Sequence, residues 1–136
     1  MPLKSDYQRI ASRSLISSEA TLASGIQEKA AFLSYHAFES TGCALSLSCG
    51  FQKVGVGVSH VKKINIFKTA ARRCRNERAV ASLAVVLSSL RNHLLYPIED
   101  PATGAIQRPE DIITLTQARK VKQRVGGIVA WVDTQI

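Results

Sequence analysis

No run of apolar residues approaches the roughly 20 needed to span a bilayer, so a membrane-spanning helix is not expected. The opening MPLKSDYQRIASR lacks the apolar core and cleavage site of a secretory leader, and a cytoplasmic location is expected. Cysteine is sparse: Cys43, Cys49 and Cys74 are odd in number, and no C-x-x-C occurs. That argues against a disulfide framework and against a zinc site. Buried thiols acting as small hydrophobes are expected instead, with no metal and no cofactor. No segment alternates convincingly as a strand, and no segment repeats. Proline, apart from Pro2, is confined to Pro97, Pro101 and Pro109. Acid is scarce as well, with ten Asp and Glu against eighteen Lys and Arg.

What remains is a chain of 136 residues, 46% hydrophobic and 21% charged, which suits one domain over residues 1–136 with one core. The net charge of +8 is uneven. Residues 51–79 carry eight Lys or Arg and one Glu, a balance of +7, while the other segments nearly cancel. Clustered positive charge is the footprint of a polyanion partner or of a solvated face.

Helical spacing dominates. Ser5 and Gln8 resemble a capping box ahead of Tyr7, Ala11, Leu15, Ser18 and Leu22, with Gly25 as a stop. Ser24 and Gln27 repeat that pattern for a second helix ending near Cys49 and Gly50. Ala30, Leu33, Ala37, Thr41, Ala44 and Ser48 make a stripe that lets another helix come close, and Phe32, His36, Glu39 and Cys43 make a more polar one. Phe51–Ser59 reads as a loop; its Gly55 and Gly57 do not make a dinucleotide fingerprint. A third helix begins at Ser59 or His60, with Val61, Ile64, Phe67, Ala71 and Cys74 inward. A fourth follows Asn76, buries Val80, Leu83, Ala84, Leu87, Leu90 and Leu94, and stops at Pro97. After the loop PIEDPATGAIQRPED, whose acids are placed to fold back on the basic helix, a last helix runs from about Thr116 to Thr134. Within it, Gly126-Gly127 either weakens the helix or allows close packing. The expected fold is all-α, an antiparallel bundle of four to five helices.

Chemistry concentrates in Ser89–Pro97, S-L-R-N-H-L-L-Y-P. Arg91 stands among leucines at a helix end, and a guanidinium is costly to bury without a partner. Something negative is therefore expected there: an acidic side chain, a partner chain or a phosphate. Glu39 is the candidate counter-charge, with His36 one turn away on the second helix. His93 lies two residues from Arg91, roughly 200° around a regular helix, so the two do not converge unless the helix end unwinds.

The segment EKAAFLSYHAFESTGCALSL and the later S-L-R-N-H-L-L-Y-P resemble the HEPN superfamily, and helix order with the H-A-F-E-S segment extends the resemblance over about three quarters of the chain. The resemblance implies a small helical bundle, often a homodimer. Many members are metal-independent RNases of toxin–antitoxin or defence systems, often beside a nucleotidyltransferase-type antitoxin; others are non-catalytic modules. The family motif is R-N-x-x-x-H; Arg91 and Asn92 match it, and Tyr96 takes the place of the histidine. An unperturbed imidazole titrates near 6.5 and a phenol near 10, so this exchange preserves phosphate binding better than proton transfer.

The resemblance implies that Arg91 holds a scissile phosphate and Asn92 orients it, while Tyr96, with His36 or His93, serves the proton transfers. Lys62, Lys63, Arg72, Arg73 and Arg75 would track an RNA backbone. Each has a structural reading too: an Arg91–Glu39 salt bridge, a satisfied core His36, a His93 favoured near a helix C-terminus, a Tyr96 plug, and a solvated basic face. The alternative function is a non-catalytic dimer that binds nucleotide, RNA or protein. A helical DNA-binding regulator is a weaker third reading, since no helix-turn-helix spacing is recognisable.

Overall fold

Small residues decide how closely the helices of this chain approach one another. The computed structural model describes residues 2–136. Five long helices, α1 (Lys4–Ala23), α2 (Gln27–Ser48), α3 (His60–Arg73), α4 (Glu77–Leu90) and α6 (Leu115–Gln135), form the expected all-α bundle. A hairpin, β1 (Ile98–Glu99) with β2 (Ile106–Gln107), and a single turn, α5 (Pro109–Ile112), lie between α4 and α6.

Helix α2 is the axis. It packs on α1, α3 and α6 and is buried almost continuously from Ala30 to Ser46. Against α1 the seam is built of Ala11, Ser14 and Ser18 facing Ala30 and Ser34. The Ser18 hydroxyl donates to the Ala30 carbonyl at 2.8 Å and lies 3.0 Å from the Ser34 hydroxyl, so the buried polar groups satisfy one another. Against α3 the close approach is made at Gly42. A Cβ there would stand 2.7 Å from Cγ of Phe67, whose ring packs on Phe38 with centroids 5.0 Å apart. Glycine at this position lets α3 lie flush against α2.

Several local expectations are revised. Helix α1 is capped by Leu3, whose N–H donates to the Asp6 carboxylate at 2.7 Å, rather than by Ser5 and Gln8. Ser24 ends α1 instead of starting α2. Val61, expected inward, is 73% exposed and lies at the mouth of a groove that the end of α4 helps to line. Helix α4 stops at Leu90, not at Pro97, and residues 91–96 continue as turns closed by Leu94 N–H to Leu90 O and Tyr96 N–H to Asn92 O. Pro97 disfavours helical backbone at Tyr96, and Asn92 is a poor helix former, so the unwinding begins a turn early. Leu94 still reaches the core and is fully buried.

The proline-rich loop is folded. Ile98 pairs with Gln107 and Glu99 with Ile106, and Asp100 accepts the Ala102 N–H within the turn. Its acids do not fold back on α3: among the described residues, the acids in ion pairs are Glu19, Glu39 and Glu77. Helix α6 starts at a capping box, in which the Thr114 hydroxyl accepts from Gln117 N–H and the Gln117 side chain accepts from Thr114 N–H. Gly126 and Gly127 have open space where a Cβ would stand, so they serve no close packing. All three cysteines are free; Cys43 is buried and donates to the Val54 carbonyl at 2.9 Å, and burial pushes its thiol up to about 11.

Candidate functional site

Three helices deliver one side chain each to a single line of contacts. On α2, Tyr35 and Glu39 are one turn apart and share the face toward α3. On α3, the Ser59 hydroxyl caps the helix by accepting the Lys62 N–H, which makes His60 its first residue and puts Lys63 one turn further on the same side. On α4, Arg91 is the C-cap, its N–H bonded to Leu87 O at 3.0 Å. The flush packing at Gly42 is what brings the start of α3 within reach of Glu39.

Glu39 is 8% exposed and accepts three hydrogen bonds: from the Tyr35 hydroxyl at 2.8 Å, from His60 Nδ1 at 2.6 Å and from Lys63 Nζ at 3.2 Å. Burial by itself would push its carboxyl up; the bonds from His60, Tyr35 and Lys63 together outweigh burial and hold it below the usual carboxylate range. The other imidazole nitrogen, Nε2, lies 2.8 Å from an Arg91 terminal nitrogen. Arginine can only donate, so Nε2 carries the lone pair and Nδ1 carries the hydrogen given to Glu39. A neutral imidazole is thus oriented from behind by a carboxylate, with its basic nitrogen turned to a guanidinium.

Tyr35 touches every member of this line. Its ring lies 5.8 Å from the Arg91 guanidinium and edge-on to His60 at 6.3 Å. Burial, then the Glu39 charge beside it, raise its hydroxyl far above the ordinary phenol, so it acts as a hydrogen-bond donor. Arg91 also donates to the Asn92 side chain at 3.1 Å, and its Nε is buried with no partner among the described residues. Its position is favoured by the C-terminal carbonyls of α4.

The line opens on a groove of about 340 Å³ lined by His60, Val61, Ile64, Ser88, Arg91 and Asn92 among others. The first N–H groups of α3 have no intrahelical partner, and the positive end of that helix meets the same groove. Guanidinium, imidazole lone pair, amide and helix N-terminus together favour an anion with an acidic hydroxyl proton beside it. A larger groove, about 620 Å³ between α4 and α6, holds Arg78 and Arg124 but no acid–base pair.

Of the residues expected at the site, Glu39, Arg91 and Asn92 come together, although Glu39 meets Arg91 through His60 rather than directly. His36 is exposed and does not line the groove. His93 is half-buried and does not line the groove. Tyr96 is 62% exposed and also outside it, because the chain has left the helix by then. Among the expected RNA contacts, Lys62 and Arg75 are exposed. Lys63 is drawn inward onto Glu39, Arg72 is held by Glu77 through two bonds of 2.8 and 2.7 Å, and Arg73 bonds the Cys49 carbonyl while stacking on Phe51. Sequence reasoning missed Tyr35, which carried no signal of its own, and His60. The signal for His60 was S-H-x-x-K, a capping serine followed by a histidine and a lysine that share a helix face.

No family model matches the chain, and no curated protein or solved structure matches it either.

Proposed function

We propose that the chain is a HEPN-like, RNA-directed domain that cleaves RNA by metal-independent transesterification at the Glu39–His60–Arg91 line. The observation that carries this reading is the imidazole held between Glu39 at 2.6 Å and Arg91 at 2.8 Å. A phosphodiester entering the groove takes over the Arg91 guanidinium, which frees Nε2 of His60. That nitrogen then accepts the proton of the ribose 2′-hydroxyl. The 2′-oxygen attacks phosphorus, the bond to the 5′-oxygen breaks, and that oxygen is protonated by solvent. The products are a 2′,3′-cyclic phosphate and a 5′-hydroxyl. Glu39 stabilises the imidazolium as it forms, Arg91 stabilises the charge on the phosphoryl oxygens, and Asn92 orients Arg91. Tyr96, outside the groove, is left to contact RNA beyond the scissile phosphate.

The test is incubation of purified protein with RNA in EDTA. Cleavage is expected with the wild type, and loss with Arg91→Ala and with His60→Gln. Cleavage that persists in Arg91→Ala would mean a contaminating nuclease and defeat the reading.

A second reading is a non-catalytic module that binds RNA, a nucleotide or a protein. It is favoured by the guanidinium that caps the His60 lone pair and leaves no free base until Arg91 moves. Salt-sensitive RNA binding by the wild type with no product would select it. The N-terminal segment implies the cytoplasm, and the family resemblance implies a toxin–antitoxin or defence role, a homodimer and a nucleotidyltransferase-type partner. Sedimentation of the pure chain and co-purification with its genomic neighbour test the last two.

A further inference from the structure

On α3, Val61, Asn65 and Lys68 follow one another at spacings of four and three, which places them on one stripe. Ala84, Val85 and Ser88 of α4 face that stripe across a second groove of about 260 Å³. This groove shares Val61, Ile64 and Ser88 with the one at His60 and Arg91, so the two are a single seam. Val61 and Val85 stand 73% and 72% exposed along it. Lys68 makes no ion pair among the described residues, and no carboxylate lines either groove. An apolar strip with a cation at each end and no acid is the inverse of a strand of nucleic acid, whose bases are apolar-faced and whose backbone is anionic.

We infer that this seam is the track for single-stranded RNA leading to the Arg91 site, an inference that rests on the RNA reading above. The base next to the bound phosphate lies against Val61 and Val85, and Lys68 holds a phosphate further along. His60 and Lys68 are eight residues apart on one helix, about 12 Å at the α-helical rise. Phosphates follow every ~3.4 Å in a stacked strand and about twice that in an extended one, so the span takes roughly two to four nucleotides. An unpaired base can reach the valines, whereas bases stacked inside a duplex cannot. A second copy of the chain fits less well: twofold pairing would set Arg91 and Lys68 of each copy against a surface with no acid to meet them.

Fluorescence anisotropy with labelled di- and hexaribonucleotides at low salt tests the track. The wild type is expected to hold the hexanucleotide at least about tenfold more tightly than the dinucleotide. Lys68→Glu and Val85→Asp, both at positions outside the sealed core, should collapse that ratio toward one. Lys68→Ala should lower the slope of log affinity against log salt by about one phosphate's share. If Lys68→Glu and Val85→Asp keep the wild-type ratio while Arg91→Ala loses both oligonucleotides, the site stands and the track is overturned. If Val85→Asp splits a sedimenting dimer and leaves RNA binding unchanged, the seam belongs to a second copy and the track again falls. Absence of wild-type binding to either oligonucleotide overturns the track together with the RNA reading.

Discussion

Replacing Glu39 by alanine removes the acceptor of three donors from three different side chains, and its cost can be worked out from their surroundings. A hydrogen bond to a charged group contributes about 1.5–3 kcal/mol, which would sum to well over 4 kcal/mol if all three donors were stranded. They are not equally stranded. The His60 side chain is 45% exposed and recovers its hydrogen bond from water, while Lys63 is 16% exposed and recovers part of its own by turning outward. The Tyr35 residue is only 3% exposed, so its hydroxyl loses its partner with little recourse, at about 1–3 kcal/mol. With a further ~1 kcal/mol from Lys63, the expected loss is about 2–4 kcal/mol. For a chain of this size that is a drop of about 10 °C in Tm. Urea titration followed by far-ultraviolet circular dichroism at neutral pH measures it. A double-mutant cycle with Lys63→Met should show coupling of more than about 0.5 kcal/mol. A Tm within about 2 °C of wild type, or strict additivity with Lys63→Met, would refute the account of Glu39 as the shared acceptor.

The remaining expectations concern packing, capping and pH. Gly42→Ala should destabilise by about 1–3 kcal/mol, because its methyl meets the Phe67 ring, and should weaken the Glu39–His60 contact by pushing α3 outward. Gly126→Ala and Gly127→Ala, on the open side of α6, should each stabilise by about 0.5–1 kcal/mol in thermal denaturation. Thr114→Ala removes the α6 cap and should cost about 1 kcal/mol. The Glu39 carboxyl lies below its unfolded range, so its contribution is complete above about pH 4.3 and fades as pH falls through and below that value. The Tm advantage of wild type over Glu39→Gln should therefore shrink between about pH 5 and pH 3; a constant advantage would contradict the shift.

Much of the bundle was readable because helical periodicity records burial one face at a time. Val80, Leu83, Ala84 and Leu87, or Val121, Val125, Ile128 and Val132, announce their helices without help from the rest of the chain. The hairpin was not readable, since strands of two residues carry no alternation. At the site, Glu39 was recognisable as an acid in a helix that has little room for one, and Arg91 as a cation among leucines. Their connection was not. It depends on how a loop of some ten residues returns the chain, and on a glycine contact that sets the spacing between α2 and α3. His60 looked like a helix start because it is one, and only tertiary packing turns that position into the middle of a relay. Tyr96 entered the site through its place in the family motif on a helix expected to run to Pro97, and the early unwinding at Asn92 leaves it 62% exposed.

Every group in the line from Glu39 to Arg91 belongs to one polypeptide. A single molecule therefore carries the whole constellation, and whatever it does should proceed at a rate proportional to protein concentration. Dilution far below the dissociation constant of any self-association should then leave turnover or binding per molecule untouched, and a loss on dilution would mean that a second copy supplies something the Glu39–His60–Arg91 line lacks.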